Sequence, residues 1–217
     1  MKIKKLITST ALMACLSFTA ATASAADVAV KITPDMAHAM VMHNGKQAHI
    51  MRNQDQKNKV NPAFAKTSRK CPPFCIKPME LGHGVETLGE LEVIHYAVKM
   101  SHGDDSIILV DNRTPDWHAR GSIPGAINIP FTKMSRAKGA DALTIAETLE
   151  TLGAKETGKG WDFSNAKTAV FFCNGMWCGQ SPAGIAGLLA EGYPGDKIKW
   201  YRGGMQSWEI LGLTTVK

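Results

Sequence analysis

The chain has 217 residues and a formal net charge of +6, which falls to +3 if Lys2, Lys4 and Lys5 are removed with an N-terminal export signal. So weak a basic balance argues against a nucleic-acid partner. A chain of this length buries a full core without covalent staples, so its cysteines point to chemistry more than to bulk stability. Residues 1–25 have the layout of a secretory signal: a lysine-bearing start, an apolar and small-residue stretch from Leu6, and an Ala23-Ser24-Ala25 cleavage site. The stretch is too short and too rich in Ser and Thr to be a comfortable membrane span. Cleavage before Cys15, as in a lipoprotein, ranks second, because the apolar region continues past it to a better site. The expectation is an exported, periplasmic protein with no membrane association after signal removal.

Residues 26–84 form an extension of their own composition. "AMVMHNGKQAHIM" predicts a β-hairpin, because Asn44-Gly45 is the favoured two-residue turn of type I′. The cross-strand pairs are then 43/46, 42/47, 40/49 and 38/51. Alternation places His38, Met40, Met42, Gln47, His49 and Met51 on one face, and Ala37, Ala39, Val41, Ala48 and Ile50 on the other. The second face suits a core. The first gathers thioethers and imidazoles, a ligand set that suits copper, although Met as packing filler is the plainer explanation. Residues 52–70 read as a loop. "CPPFCIKP" predicts a stiff, extended connector. Across it, Cys71 and Cys75 are best read as a structural disulfide that pins the extension. A four-cysteine metal site and electron exchange with a second cysteine pair are the alternatives.

From residue 85 onward apolar strands alternate with helices, which predicts a parallel α/β sheet. Leu88, Leu91, Ile94 and Val98 recur at helical spacing, and "SIILVDNR" reads as a buried strand. "AINIP" follows as a short strand, and residues 141–152 as a helix with Asp141 at its N-cap. "KTAVFFC" is a buried strand ending on Cys173. A loop holding Cys178 leads to a helix with Ser181 as N-cap and Pro182 as its first residue. "IKWYRGG" and "MQSWEILGL" supply a last strand and a last helix.

Three ordered segments carry a family resemblance: "VDNRTPDWHARGSIPGAINIP" (110–130), "FFCNGMWCGQSPAGIAGLLAEGY" (171–193) and "YRGGMQSWEILGL" (201–213). Together they resemble a rhodanese-like domain over roughly residues 85–217, and the signal over 1–25 makes it similar to the exported, single-domain members. The resemblance implies a three-layer α/β/α fold with a five-stranded parallel sheet, to which the β-hairpin is an added piece. It implies a sulfurtransferase in which Cys173 carries sulfane sulfur as a persulfide from a small donor of the thiosulfate or persulfide class to a thiol acceptor. The backbone of Asn174, Gly175, Met176, Trp177, Gly179, Gln180 and Ser181 would form the anion cradle. Asp111 and Arg113 match the family's D-x-R and are read as structural, with Arg113 a possible charge near the site. His118 is read as a surface residue.

The loop departs from the family pattern. Seven residues separate Cys173 from Ser181, and Gln180 stands where Arg is common. The missing cation makes phosphate-ester hydrolysis a poor reading and thiosulfate a poor donor. The longer loop gives Cys178 room to act as a resolving thiol, so thiol–disulfide exchange is the runner-up, with a static Cys173–Cys178 bridge as the plain alternative. Trp177 at the loop tip either covers the thiols or offers a surface to a periplasmic protein partner. The sulfur chemistry requires no cofactor. Copper, held by His38, Met40, Met42, His49 and Met51 and independent of both loop cysteines, is the non-enzymatic reading.

Overall fold

The computed structural model describes residues 28–217, so the proposed export signal lies outside the described residues. The hairpin is β1 (His38–His43) and β2 (Lys46–Met51), paired antiparallel in the expected register from His38↔Met51 to His43↔Lys46. Asn44 and Gly45 both have positive φ, 49° and 74°, as a type I′ turn requires. Ala39, Val41 and Ile50 are buried, while His38, Met40, Met42, Gln47 and His49 are exposed and Met51 is half-buried.

The main sheet contains β3 (Glu86–Leu88), β4 (Ile107–Asp111), β5 (Ile127–Asn128), β8 (Thr168–Phe172) and β9 (Ile198–Tyr201). Their spatial order is β3-β9-β8-β4-β5, and every pairing is parallel. Strand β8 is therefore central, with a neighbour on each side and helices on both faces, which explains its uninterrupted apolar run. The period of two still divides its side chains: Val170 and Phe172 join one core layer, Ala169 and Phe171 the other. The edge strand β3 was not foreseen. Leu88 fits the helical spacing of the residues after it, but it pairs with Tyr201 as the last strand residue.

Helix α1 (Glu90–Ser101) follows β3 directly, and its first N–H groups face the Glu92 carboxylate through Gly89 N (3.0 Å). After β4 comes the short α2 (Pro115–His118), and α3 (Ala142–Thr151) starts at the predicted cap, with Asp141 Oδ1 accepting from Thr144 N at 2.7 Å. A small hairpin, β6 (Lys155–Thr157) and β7 (Gly160–Asp162), lies apart from the main sheet. Helix α4 (Gln180–Ala190) follows β8, and α5 (Gly204–Ile210) follows β9.

One core layer holds Val93 and Ile94 of α1 and Met205 and Trp208 of α5. The other holds Ile145 and Leu149 of α3 and Ile185 and Leu188 of α4. The extension is part of the first layer, because Val41, Ile50 and Phe64 pack into it. Burying a side chain of that size stabilises by about 1.5–3 kcal/mol. The C-terminal segment completes the attachment. Thr214 N donates to Met51 O (3.0 Å), and Ser122 and Val216 exchange backbone hydrogen bonds.

Two local readings are corrected. The Cys71–Cys75 disulfide is formed, but its segment is a compact turn and not an extended connector. Both Cys71-Pro72 and Pro72-Pro73 are cis, and Phe74 N reaches back to Lys70 O (3.1 Å). Helix α4 begins at Gln180 with Gly179 as N-cap, not at Ser181. The Ser181 hydroxyl is fully buried and caps nothing, and the N-cap lies two residues earlier than expected.

Candidate active site

Strand β8 delivers Cys173 to the carboxyl end of the sheet's centre, where open α/β sheets bind ligands. The loop from 173 to 179 is fastened there by distant partners. Met205 N donates to Cys173 O (2.9 Å), and Gln206 N to Asn174 O (3.0 Å). These bonds need the α5 backbone to touch the loop. Gly204 permits it: its φ is +56°, and a Cβ there would strike the Cys173 carbonyl. This is the structural role of the glycine pair in "YRGGMQSW". Gln206 also binds Trp177 Nε1 through Oε1 (2.8 Å) and donates through Nε2 to Phe64 O (2.8 Å), which ties the loop to the extension.

Both thiols are free and nearly closed to solvent, Cys173 at 2% exposure and Cys178 at 4%. Burial opposes ionisation of Cys173. The neighbouring Cys178 thiol, the backbone and side chain of Ser181 and the Gly175 N–H outweigh it and bring the Cys173 thiol down to about 7. Cys178 moves the other way. It donates to the Cys173 thiolate, is buried, and would ionise beside an existing negative charge, all of which push it up. Of the two thiols, Cys173 is therefore the one that ionises first.

The loop residues expected to cradle an anion divide between the two thiols. Gly175 and Ser181 serve Cys173, and the backbones of Gln180 and Asn174 serve Cys178. The Gln180 carbonyl Oε1 lies 3.6 Å from Cys178 Sγ. Met176 sits exposed at the tip, with its carbonyl accepting from Lys77 N (2.9 Å). Trp177 neither cradles an anion nor caps the thiols from solvent alone. It is half of an aromatic wall with Phe74, at 5.6 Å between ring centroids.

That wall encloses a cleft of about 450 Å³ lined by Arg69, Phe74, Trp117, Trp177, Cys178 and Gln180, among others. The Arg69 guanidinium stacks 4.0 Å above the Trp177 ring and 5.0 Å from Phe74. Arg69, from the extension, and Lys138 thus bring positive charge to the cleft beside the loop. A larger cleft, about 550 Å³, lies between residues 51–61 and 209–215, but it holds no thiol or nucleophile pair and is not the site of this chemistry. Arg69, Phe74, Trp117 and Lys138 were missed by sequence reasoning. The one available signal was a basic residue just before the "CPPFC" turn and an aromatic residue within it.

Asp111 and Arg113 form a closed, buried ion pair instead of a free charge at the site. Arg113 donates through Nε to Asp111 Oδ1 (2.8 Å) and through Nη2 to Asp111 Oδ2 and Gly121 O, both at 2.6 Å. Ser122 Oγ donates to the same carboxylate (2.8 Å), and His118 Nδ1 lies 2.9 Å from it. Burial would raise the Asp111 carboxyl, but Arg113 and His118 hold it below its usual range. His118 thus belongs to this network rather than to the open surface. Cys71 and Cys75 stay bonded to each other, and the His38, Met40, Met42, His49 and Met51 face lies on the hairpin, built from residues separate from those of the thiol loop.

A doubly covered parallel sheet with a strand-end cysteine, held as a thiolate by a loop and a helix start, defines a class of cysteine-based α/β proteins. Within that class, the model of the rhodanese-like domain matches residues 94–211, more than half of the chain, and the chain belongs to that family. Similar solved structures include the BH2092 protein of Bacillus halodurans, at 21% identity and a TM-score of 0.39 over 58% of this chain and 71% of that one. The human single-domain sulfurtransferase TSTD1 is 22% identical, with a TM-score of 0.35 over 58% of this chain and 96% of its own. No curated protein matches.

Proposed function

We propose that the protein is a sulfurtransferase that carries sulfane sulfur on Cys173. The observation that carries this reading is Cys173 at the carboxyl end of the central strand, buried among loop groups that lower its thiol to about 7, so that a substantial fraction is thiolate at neutral pH. The Cys173 thiolate attacks the outer sulfur of a donor R–S–S⁻ and expels R–S⁻, leaving Cys173–S–S⁻. An acceptor thiolate then attacks that outer sulfur, departs as a persulfide and restores the Cys173 thiolate. Gly175 N–H and the Ser181 N–H and hydroxyl stabilise the anion in both forms. The volume of the cleft and its Arg69 cation favour an organic, anionic donor over thiosulfate alone.

A second reading rests on the contact between the two thiols and on the position of Cys178 at the cleft wall. Cys178 attacks the Cys173 sulfur of the persulfide, forms a Cys173–Cys178 disulfide and releases hydrogen sulfide. The net result is thiol oxidation rather than sulfur delivery. Export is part of the proposal, supported by the signal-like residues 1–25 and by a formed disulfide, which persists in oxidising compartments. Determination of the N-terminus of the protein recovered from a periplasmic extract tests it.

The deciding experiment is the intact mass of the reduced protein before and after treatment with a persulfide donor, with mapping of the loop peptide. One sulfur retained on Cys173 supports transfer. Loss of two hydrogens between Cys173 and Cys178, with no sulfur kept, supports the redox reading. No change at either thiol under several donors overturns both. Alkylation of Cys173 is expected to have its midpoint near pH 7 and to move to higher pH in Cys178→Ala, because the side chain at 178 that helps to lower the Cys173 thiol is lost.

A further inference from the structure

The hairpin places two large apolar side chains, Met40 and Met42, at 47% and 39% exposure on a strand whose opposite face is fully buried. Packing does not explain them, since Ala39, Val41 and Ile50 make the core contacts of this hairpin. On the same exposed face, His38 stands directly opposite Met51, and Met40 directly opposite His49. Opposite side chains on a sheet face start about 5 Å apart and the next pair lies about 7 Å along the strand. Two imidazoles and two thioethers therefore mark the corners of a small rectangle, and each arm is long enough to reach its centre.

The two rings already lean together, with centroids 5.1 Å apart and planes tilted by 51°. Two imidazoles bound to one tetrahedral ion through metal–nitrogen distances of about 2.0–2.1 Å have centroids about 5 Å apart. Among the described residues, no three His, Cys, Asp or Glu side chains gather elsewhere or here. The donor set at the hairpin is thus two nitrogens and two neutral sulfurs with no carboxylate. Hard cations gain nothing from thioethers, whereas a soft monovalent ion such as Cu(I) does.

We infer that the exposed face of the hairpin is a Cu(I) site with His38, Met40, His49 and Met51 as ligands and Met42 beside them. The site is independent of sulfur transfer. It uses neither loop cysteine, and three of its four ligands are exposed and so free to change rotamer.

The test uses the full chain carrying Cys173→Ser and Cys178→Ser, so that the loop thiols cannot hold the ion. Cu(I) is generated with ascorbate, which spares the Cys71–Cys75 disulfide, and is titrated against a chromophoric Cu(I) chelator. One equivalent retained by the protein is expected. His38→Gln with His49→Gln, and separately Met40→Leu with Met51→Leu, should each weaken retention about tenfold or more, since even outer partners of a metal site are worth ~10–100-fold. Circular dichroism should be unchanged in both, because these side chains lie outside the core. Ag(I), a redox-inert probe, should shift the methyl resonances of Met40 and Met51. No retained equivalent, or retention unaltered by the fourfold substitution His38→Gln, Met40→Leu, His49→Gln and Met51→Leu, overturns the inference.

Discussion

The thiol loop and the hairpin both present sulfur and nitrogen atoms to a prospective ligand, but they are assembled in opposite ways. The hairpin is local. A two-residue turn and strict alternation fix which side chains share a face, and its register follows from residues within seven positions of the turn. The loop is held from far away, by Met205 and Gln206 of α5, by Lys77 and, through Gln206, by Phe64. The hairpin's donors are open and uncommitted, whereas the loop's are buried. An exposed soft-ligand face suits an ion that arrives and leaves. A buried thiolate with aimed N–H donors suits a covalent intermediate that water must not reach.

That contrast can be broken from either side, and the largest effect should come from the support beneath the loop. Asp111→Asn leaves the Arg113 guanidinium buried beside a neutral partner. Breaking one side of a buried pair costs about 3–5 kcal/mol, to be read as a drop in the urea midpoint with an unchanged slope. Gly204→Ala should come next. A left-handed conformation costs a non-glycine residue about 1–3 kcal/mol, and here the added Cβ also meets the Cys173 carbonyl. Its persulfide yield should fall more than its melting temperature suggests, while Cu(I) retention stays the same.

Asn44→Ala addresses the hairpin alone. Forcing alanine to positive φ should cost roughly 1–2 kcal/mol and loosen the register. Cu(I) affinity should fall in that variant, with the pH midpoint of Cys173 alkylation unmoved. The smallest effect is expected for Arg69→Ala, which removes a cation stacked on Trp177 worth about 0.5–1 kcal/mol. KM for an anionic donor should rise a few-fold and kcat stay near its original value. A fall in kcat with no change in KM would mean that Arg69 supports the loop and does not bind substrate.

Elements whose causes lie close in sequence were legible. The hairpin pairing, the Asp141 cap, the buried strands β4 and β8 and the position of Cys173 at a strand end follow from periodicity and turn chemistry. Elements decided by distant partners were not. Residues 86–88 become a strand because β9 offers an edge to pair with, although Leu88 also fits a helical period. Ser181 surrenders the cap position because the fold carries its side chain into the interior, where it is fully buried. The "CPPFC" segment turns compactly and brings Phe74 and Arg69 against Trp177, a meeting of residues about a hundred positions apart.

The sequence by itself determined the parallel α/β class, the strand-end position of Cys173 and the membership of the exposed Met/His face, because each follows from side-chain period and local backbone preference. Only the tertiary structure decided which thiol ionises first, which cations reach the cleft, and that Arg113 is spent on Asp111. Arg69 meets Trp177 across about a hundred residues of chain, and the Asp111–Arg113 pair and the two thiols, though close in sequence, take their states from burial in the fold, which no local pattern reports.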